Sequence, residues 1–344
     1  MALQDWWTFD LVGGYGAVAG RLDGVVTGSL TGNVHAQIRW AGRLTLDKDP
    51  SVDWGQFRVR PVRHTQTSQG VVRSEPYGVY LVRETTVDAR PGVHRVELDL
   101  LDRTAVVAED ATATSFTVPA GTNIVTAVGQ IIASTGEVGT ALTPTDDVTS
   151  SDLVWEPGET KLRIINDLLE HAGYFALWAD HHGQFRVEPY VAPQARPVAY
   201  QALPGDAAVH VADTRFDLPG PVHNRVICVS QSTGDNPAMI ADVMNADPDS
   251  PHSFQAQGRW VTRVVENVEA ASQAVLDQHA QRLLAGEGTS GRKISRRMLP
   301  SQLGLNAIIT SRADGGGVRR ETVETIEISL ESAALMGVTS REVA

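Results

Sequence analysis

The sequence holds a single cysteine, Cys228, in 344 residues. One thiol can neither close an internal disulfide nor furnish a Cys-based zinc site, so both classes fall away. Positive charge is also in deficit: 29 Lys and Arg stand against 41 Asp and Glu, a formal net charge of −12. General nucleic-acid binding needs a basic footprint that this chain lacks, although nucleic acid could pass it without adhering. No apolar run approaches the roughly 18 residues of a membrane span. The start MALQDWWTFD has no basic segment followed by an apolar one, so neither a secretory leader nor membrane insertion is expected. No GxxxxGK(S/T) loop, HExxH or GxSxG occurs, and the ten histidines are scattered. No catalytic residue, cofactor or metal site is predicted.

What is present is turn chemistry and short apolar runs: Gly 31, Pro 17 and 42% hydrophobic residues. The length predicts two or three domains. Apolar and polar residues alternate in VHAQIRW (34–40), with Val34, Ala36, Ile38 and Trp40 on one side, which is the period of a half-buried strand. The pattern recurs at Phe57 and Val59, at Val96, Leu98 and Leu100, and at Ile326, Ile328 and Leu330. Asp23-Gly24, Gly32-Asn33 and Gly70 separate the early strands. Residues 1 to about 110 are therefore expected to form an all-β barrel or sandwich.

The period changes after Pro119. Ile124, Ala127, Val128 and Ile131 follow helical spacing, with Thr122 or Asn123 as N-cap and Gly136 past the end. A second helix places Leu162, Ile165, Leu169 and Ala172 on one face and stops at Gly173. Phe175, Leu177 and Ala179 alternate before Asp180-His181-His182-Gly183, and Phe185 and Val187 after it, which predicts a β-hairpin with a four-residue tip. Adjacent histidines in such a tip point apart and into solvent, whereas a metal needs convergent ligands. A Pro- and Ala-rich stretch, APQARPVAYQALPGDA, suggests an inter-domain crossing. A third helix is expected over about 267–285, with Leu276, Ala280, Leu283 and Leu284 as its stripe and Gly286 as its stop. Cys228 reads as a core strand residue, and Ala313–Gly317 as a hairpin tip.

Residues 14–20, GYGAVAG, imitate a dinucleotide glycine loop, but no buried strand precedes them and no helix can follow, so a turn-rich segment is expected. One charge feature stands out: Arg292, Lys293, Arg296, Arg297, Arg312, Arg319 and Arg320 cluster with only Asp314 among them. They are the solvated face of paired strands or a docking strip for an acidic partner, with Arg292, Lys293, Arg296 and Arg297 the candidate contacts. Trp6 and Trp7 are candidates for packing against a neighbouring subunit, or for stacking on a sugar.

The succession TVPAGTNIVTAVGQII (117–132), WEPGETKLRIINDLLEHAGY (155–174) and LWADHHGQFRVEPYV (177–191) resembles minor tail proteins of long-tailed phages of actinobacteria, the tail-hub relatives of baseplate hubs. DWGQFRVRPVR, VENVEAASQAVLDQHAQRLLAGE and LESAALMGVTSREV extend the similarity, while TIEISL lacks the family's Trp in the penultimate strand. The resemblance implies a β-rich α+β chain with two tail-tube-like antiparallel β-barrels. The first covers 1–110, an α+β domain with two helices and a hairpin covers 111–200, and the second barrel covers 201–344 with a helical insertion at about 263–288. It implies a non-enzymatic tail hub in the virion, a homotrimeric ring of six barrels between a sixfold tube and threefold tip proteins. Its implied partners are a distal tail ring protein, a tape-measure protein and a tip or fibre protein, with DNA only in transit and no cofactor. The alternatives are a carbohydrate- or receptor-binding module and a cell-wall hydrolase.

Overall fold

Alternating residues build the first third of the chain into strands β1 (Gln4–Gly13), β2 (Val18–Arg21), β3 (Val25–Asn33), β4 (Trp40–Leu46), β5 (Phe57–Gln66), β6 (Val72–Pro76), β7 (Tyr80–Arg90) and β8 (Val93–Asp102). The structure is a computed structural model that describes every residue except 1–3, 15, 49, 91–92, 203–209, 218–221, 231–237, 249, 251, 269–271, 289–291, 313–316 and 344. An α+β stretch follows: α1 (Thr104–Glu109), β9 (Phe116–Val118), α2 (Ile124–Ser134), β10 (Thr140–Leu142), β11 (Leu153–Trp155), α3 (Lys161–His171), β12 (Trp178–Ala179) and β13 (Phe185–Val187). The remainder holds β14 (Val198–Ala202), β15 (His210–Asp217), β16 (Arg225–Ser230), β17 (Ile240–Met244), α4 (Phe254–Gln257), β18 (Thr262–Val268), α5 (Gln273–Gly288), β19 (Lys293–Met298), β20 (Ile308–Arg312), β21 (Val318–Ser329) and β22 (Met336–Glu342).

The chain divides into two units. The first joins Met1–Asp213 to Arg296–Thr310 and Val323–Thr339; the second comprises Thr214–Ser295, Ser311–Thr322 and Ser340–Ala344. In the first, strands run in the order β21-β3-β4-β8-β7-β5-β1-β2, with β6 beside β5. These pairings are antiparallel, from Ile328↔Leu30 at one side to Asp10↔Arg21 at the other. The strands form a large antiparallel sheet, and no pairing among the described residues closes this order into a ring. The link between β5 and β7 is a single pair, Val59↔Tyr80. One face carries the core of Leu30, Leu44, Leu98, Leu100, Ile326 and Ile328 with their neighbours. Each such side chain contributes roughly 1.5–3 kcal/mol on burial.

Residues 34–39 are not a strand. The Asn33 side chain accepts the His35 amide at 2.9 Å and the Asn33 carbonyl accepts that of Ala36 at 3.2 Å, folding the chain into turns before β4 begins at Trp40. Local side-chain bonding of this kind competes with a ladder and wins here. Residues 18–20 of the GYGAVAG segment belong to β2, and just before that strand Gly13 donates to Ala17 at 3.0 Å.

In the α+β stretch, Asn123 caps α2, its Oδ1 accepting from the Thr126 amide at 3.0 Å. Thr160 caps α3. At the far end of α3, Gly173 takes φ 67° while Tyr174 donates to Leu169 and Gly173 to Glu170, the paired bonds of a Schellman motif. The two helices bury Val128, Ile132, Leu162, Ile165 and Leu169 together in a second core.

In the second unit β16 is central, antiparallel to β17 and parallel to β18. Leu276 and Ala280 of α5 pack on Val226, Cys228 and Ala241, so the lone thiol is a core residue. The helix spans 273–288 rather than 267–285; residues 262–268 are strand because they pair with β16, and Gly286 lies inside the helix rather than after it. Glu321, fully buried in this unit, accepts hydrogen bonds from the hydroxyls of Ser311 and Ser340. Of the expected hairpin tip at 313–317, residues 313–316 lie outside the described residues.

Candidate functional site

The Asp180–Gly183 tip sits between β12 and β13, whose register is Trp178↔Arg186 and Ala179↔Phe185. Asp180 organises it: Oδ1 accepts the amides of His182 and Gln184, both at 2.9 Å. Gly183 has φ 78°, and a Cβ there would lie 2.6 Å from Val79 Cγ2, so both backbone and space require glycine. His182 is exposed, as a hairpin tip predicts. His181 is not. Its ring packs edge-on to Trp40 and Tyr77, centroids 6.0 and 5.7 Å away, and its carbonyl accepts the Gly78 amide at 2.7 Å. The tip is pressed against the sheet, which solvent-tip logic did not anticipate. Burial lowers the His181 pKa and so favours the neutral imidazole, against a smaller opposing effect from a hydrogen bond with the Leu303 backbone. Among the described residues no group of three or more His, Cys, Asp and Glu is arranged to hold a metal ion.

A buried ion cluster ties the α+β stretch to the sheet. Glu137 accepts from Arg103 Nε at 2.9 Å and from Arg58 Nη1 at 3.0 Å, with a further contact to each arginine. Arg103 also donates to the carbonyls of Gly183 at 2.6 Å and Val138 at 2.7 Å. Thus Arg103, one of the two cations paired with Glu137, also holds the hairpin tip. Nothing in the local sequence marks Arg58, Arg103 and Glu137 as partners.

The candidate contact residues divide by burial. Trp7 lies against the sheet core, edge-on to Tyr77 at 5.0 Å, and its buried indole nitrogen has no hydrogen-bond partner among the described residues. Trp6, on the other face of β1, is half-buried and stacked on His64 at 5.2 Å. Along β19 the pleat turns Lys293 and Arg297 outward and Ile294, Arg296 and Met298 inward, with Arg296 only 3% exposed. Arg292 is half-buried, its carbonyl accepting the Glu342 amide at 2.9 Å. The strip is therefore narrower at the surface than its sequence: Arg296 cannot serve as an outward-facing charge.

A cavity of about 430 Å³ in the first unit was not foreseen. Its walls include Phe175, Trp178, Pro189, Pro197 and Ile308, and two arginines and a glutamate enter it. Arg39 is 9% exposed, and the one side-chain hydrogen bond it makes among the described residues is to the Ala176 carbonyl at 3.3 Å. Burial lowers its pKa, and Asp102 acts on it only through space, its carboxylate being bonded to Trp40 and Thr104. Arg196 is held over the rings of Phe175 and Tyr190 at 5.0 and 5.7 Å and donates to the Val191 and Asn306 carbonyls. Glu188 Oε1 accepts from Arg186, while Oε2 has no hydrogen-bond partner among the described residues, and neither does the Trp178 indole nitrogen.

No protein-family model matches the sequence, and no curated protein matches it. Solved structures do. The tail protein from Neisseria meningitidis MC58 superposes with a TM-score of 0.66 at 12% identity, over 98% of this chain and 97% of that one. The 43 kDa tail protein of prophage MuSo2 from Shewanella oneidensis gives 0.64 at 13% identity, over 97% and 98%. The chain has the fold of phage tail proteins. The same fold appears in a chain of the Francisella PdpA-VgrG complex, with a TM-score of 0.61 at 7% identity, over 99% of this chain and 58% of that one. At such identities it is the arrangement of strands and helices that is shared. The tail-protein fold accounts for a sheet that takes strands from both ends of the sequence, which no local motif announces.

Proposed function

We propose that this protein is a structural component of a phage tail, the hub at the tail tip, in a phage of actinobacteria. The observation that carries this reading is the superposition on tail proteins along nearly the whole of both chains, 98% and 97% in one case. The proposal divides the chain into two tail-tube-like barrels, over 1–110 and 201–344, with the α+β domain at 111–200 between them. Three copies would form a ring of six barrels, matching a sixfold tube above and a threefold tip or fibre protein below. The distal tail ring and the end of the tape measure are the remaining partners, and DNA passes through the lumen. Three chains carry three times −12, or −36, and a lumen lined by that charge repels the phosphate backbone. Trp6, Lys293 and Arg297, which reach the surface, are the contacts we assign to neighbouring chains; the role is assembly rather than catalysis.

Light scattering over a concentration series tests this directly. A trimer, or a monomer that becomes one when the distal ring protein is added, is expected. A monomer indifferent to that partner overturns the reading.

A further inference from the structure

The cavity beside Trp178 contains an electrostatic imbalance. Arg39 is 9% exposed as a whole residue, its unbonded guanidinium nitrogens retain access to the cavity, and Asp102 acts on them only through space. Arg39 has a single carbonyl at 3.3 Å, and its remaining N–H groups have no partner among the described residues. It lines a cavity of about 430 Å³, within the range of roughly 300–1,000 Å³ found for small-molecule sites. Three kinds of unused capacity meet there: the donors of Arg39, the indole N–H of Trp178 and the acceptor Oε2 of Glu188.

We propose that this cavity binds a carboxylated sugar, with the sugar carboxylate on Arg39, its apolar face against Trp178 and a hydroxyl donating to Glu188. Each part of the ligand answers a group in the wall. The carboxylate supplies a directly bonded anion, which Asp102, held by the Trp40 and Thr104 amides, does not. Glu188 disfavours a second negative group close by, which counts against a phosphate dianion, but it accepts well from hydroxyls. A fatty or aromatic acid would satisfy Arg39 and leave Glu188 without a donor. An acidic peptide fits less well, because Pro189 and Pro197 in the wall carry no backbone N–H with which to hold an extended chain. The proposal is independent of how the chain assembles.

The test is titration of the full chain with D-glucuronate, read by calorimetry and by tryptophan fluorescence, against D-glucose and benzoate. Saturable glucuronate binding with a Kd on the order of 1 mM is expected, with both comparators weaker by about tenfold or more. Arg39→Gln should weaken glucuronate by about tenfold or more, as expected for a lost charged hydrogen bond. Trp178→Phe, which keeps an aromatic wall but removes the N–H, should weaken it by a few-fold and serves if the Arg39 variant does not fold. Absence of saturable glucuronate binding up to about 50 mM overturns the proposal. So does glucose binding as tightly, or benzoate binding in preference, which would mark a site for apolar or peptide carboxylates. Wild-type affinity in a folded Arg39→Gln or Trp178→Phe protein would also refute it.

Discussion

Glu137→Gln should be among the most damaging single changes of nearly constant volume in the first unit. Glu137 has a side chain 2% exposed and compensates Arg58 at 18% and Arg103 at 8%. At an effective dielectric near 20 and about 3 Å, each pairing is worth roughly 5 kcal/mol before desolvation. Once the arginines remain buried without their anion, the measured cost of breaking such a pair is about 3–5 kcal/mol. Arg103 keeps two carbonyl partners, at 2.6 and 2.7 Å, which moves the expectation toward about 3 kcal/mol. With a urea m-value near 3 kcal/mol/M, the midpoint should fall by about 1 M. The assay is urea unfolding followed by circular dichroism. The double variant Glu137→Gln with Arg58→Met should recover part of the loss, because it removes one uncompensated cation. A midpoint shift below about 0.2 M, or a double variant less stable than Glu137→Gln alone, would refute the reasoning.

Three further outcomes follow from the same unit. Gly183→Ala must force a positive φ on alanine and place its Cβ 2.6 Å from Val79, so thermal unfolding should show a loss of about 2 kcal/mol or more. Asn123→Ala removes the cap of α2 and should cost about 1 kcal/mol, read as a lower urea midpoint. Because burial depresses the His181 pKa, the unfolded chain takes up that proton first. The stability it contributes is complete above the unfolded pKa of about 6.5 and is lost as pH falls through that value toward the folded one. His181→Phe should therefore flatten the fall in melting temperature between about pH 6.5 and 5, and an unchanged slope would contradict the assignment.

Local pattern made much of the fold legible. Val96, Leu98 and Leu100, like Ile326 and Ile328, are buried as their alternation predicts, and the α2 and α3 stripes, the Asn123 cap and the Gly173 stop appear as read. The reading failed where a local side-chain bond or a neighbour distant in sequence decides. Residues 34–39 have a strand's alternation but follow Asn33, whose side chain turns the chain. His181 looked like a solvent-facing tip because nothing nearby foretells Trp40 and Tyr77 above it. Arg39 occupies a position that alternation assigns to solvent, yet it is buried at a cavity whose other walls come from residues more than 100 positions away. Partnerships such as Arg63 with the Pro300 carbonyl, at 2.6 Å, are invisible to any short window.

The strand order of the first unit also bears on how the protein is made. β3 has β4 on one side and the late strand β21 on the other, so a nascent chain of about 300 residues leaves the ribosome with one edge of β3 unpaired. Leu30, completely buried in the finished molecule, lies opposite Ile328 in that pairing. Synthesis thus withholds this neighbour of β3 until after Val318 has been added, and a product cut short before β21 would present a ready template for adhesion to other unfinished chains.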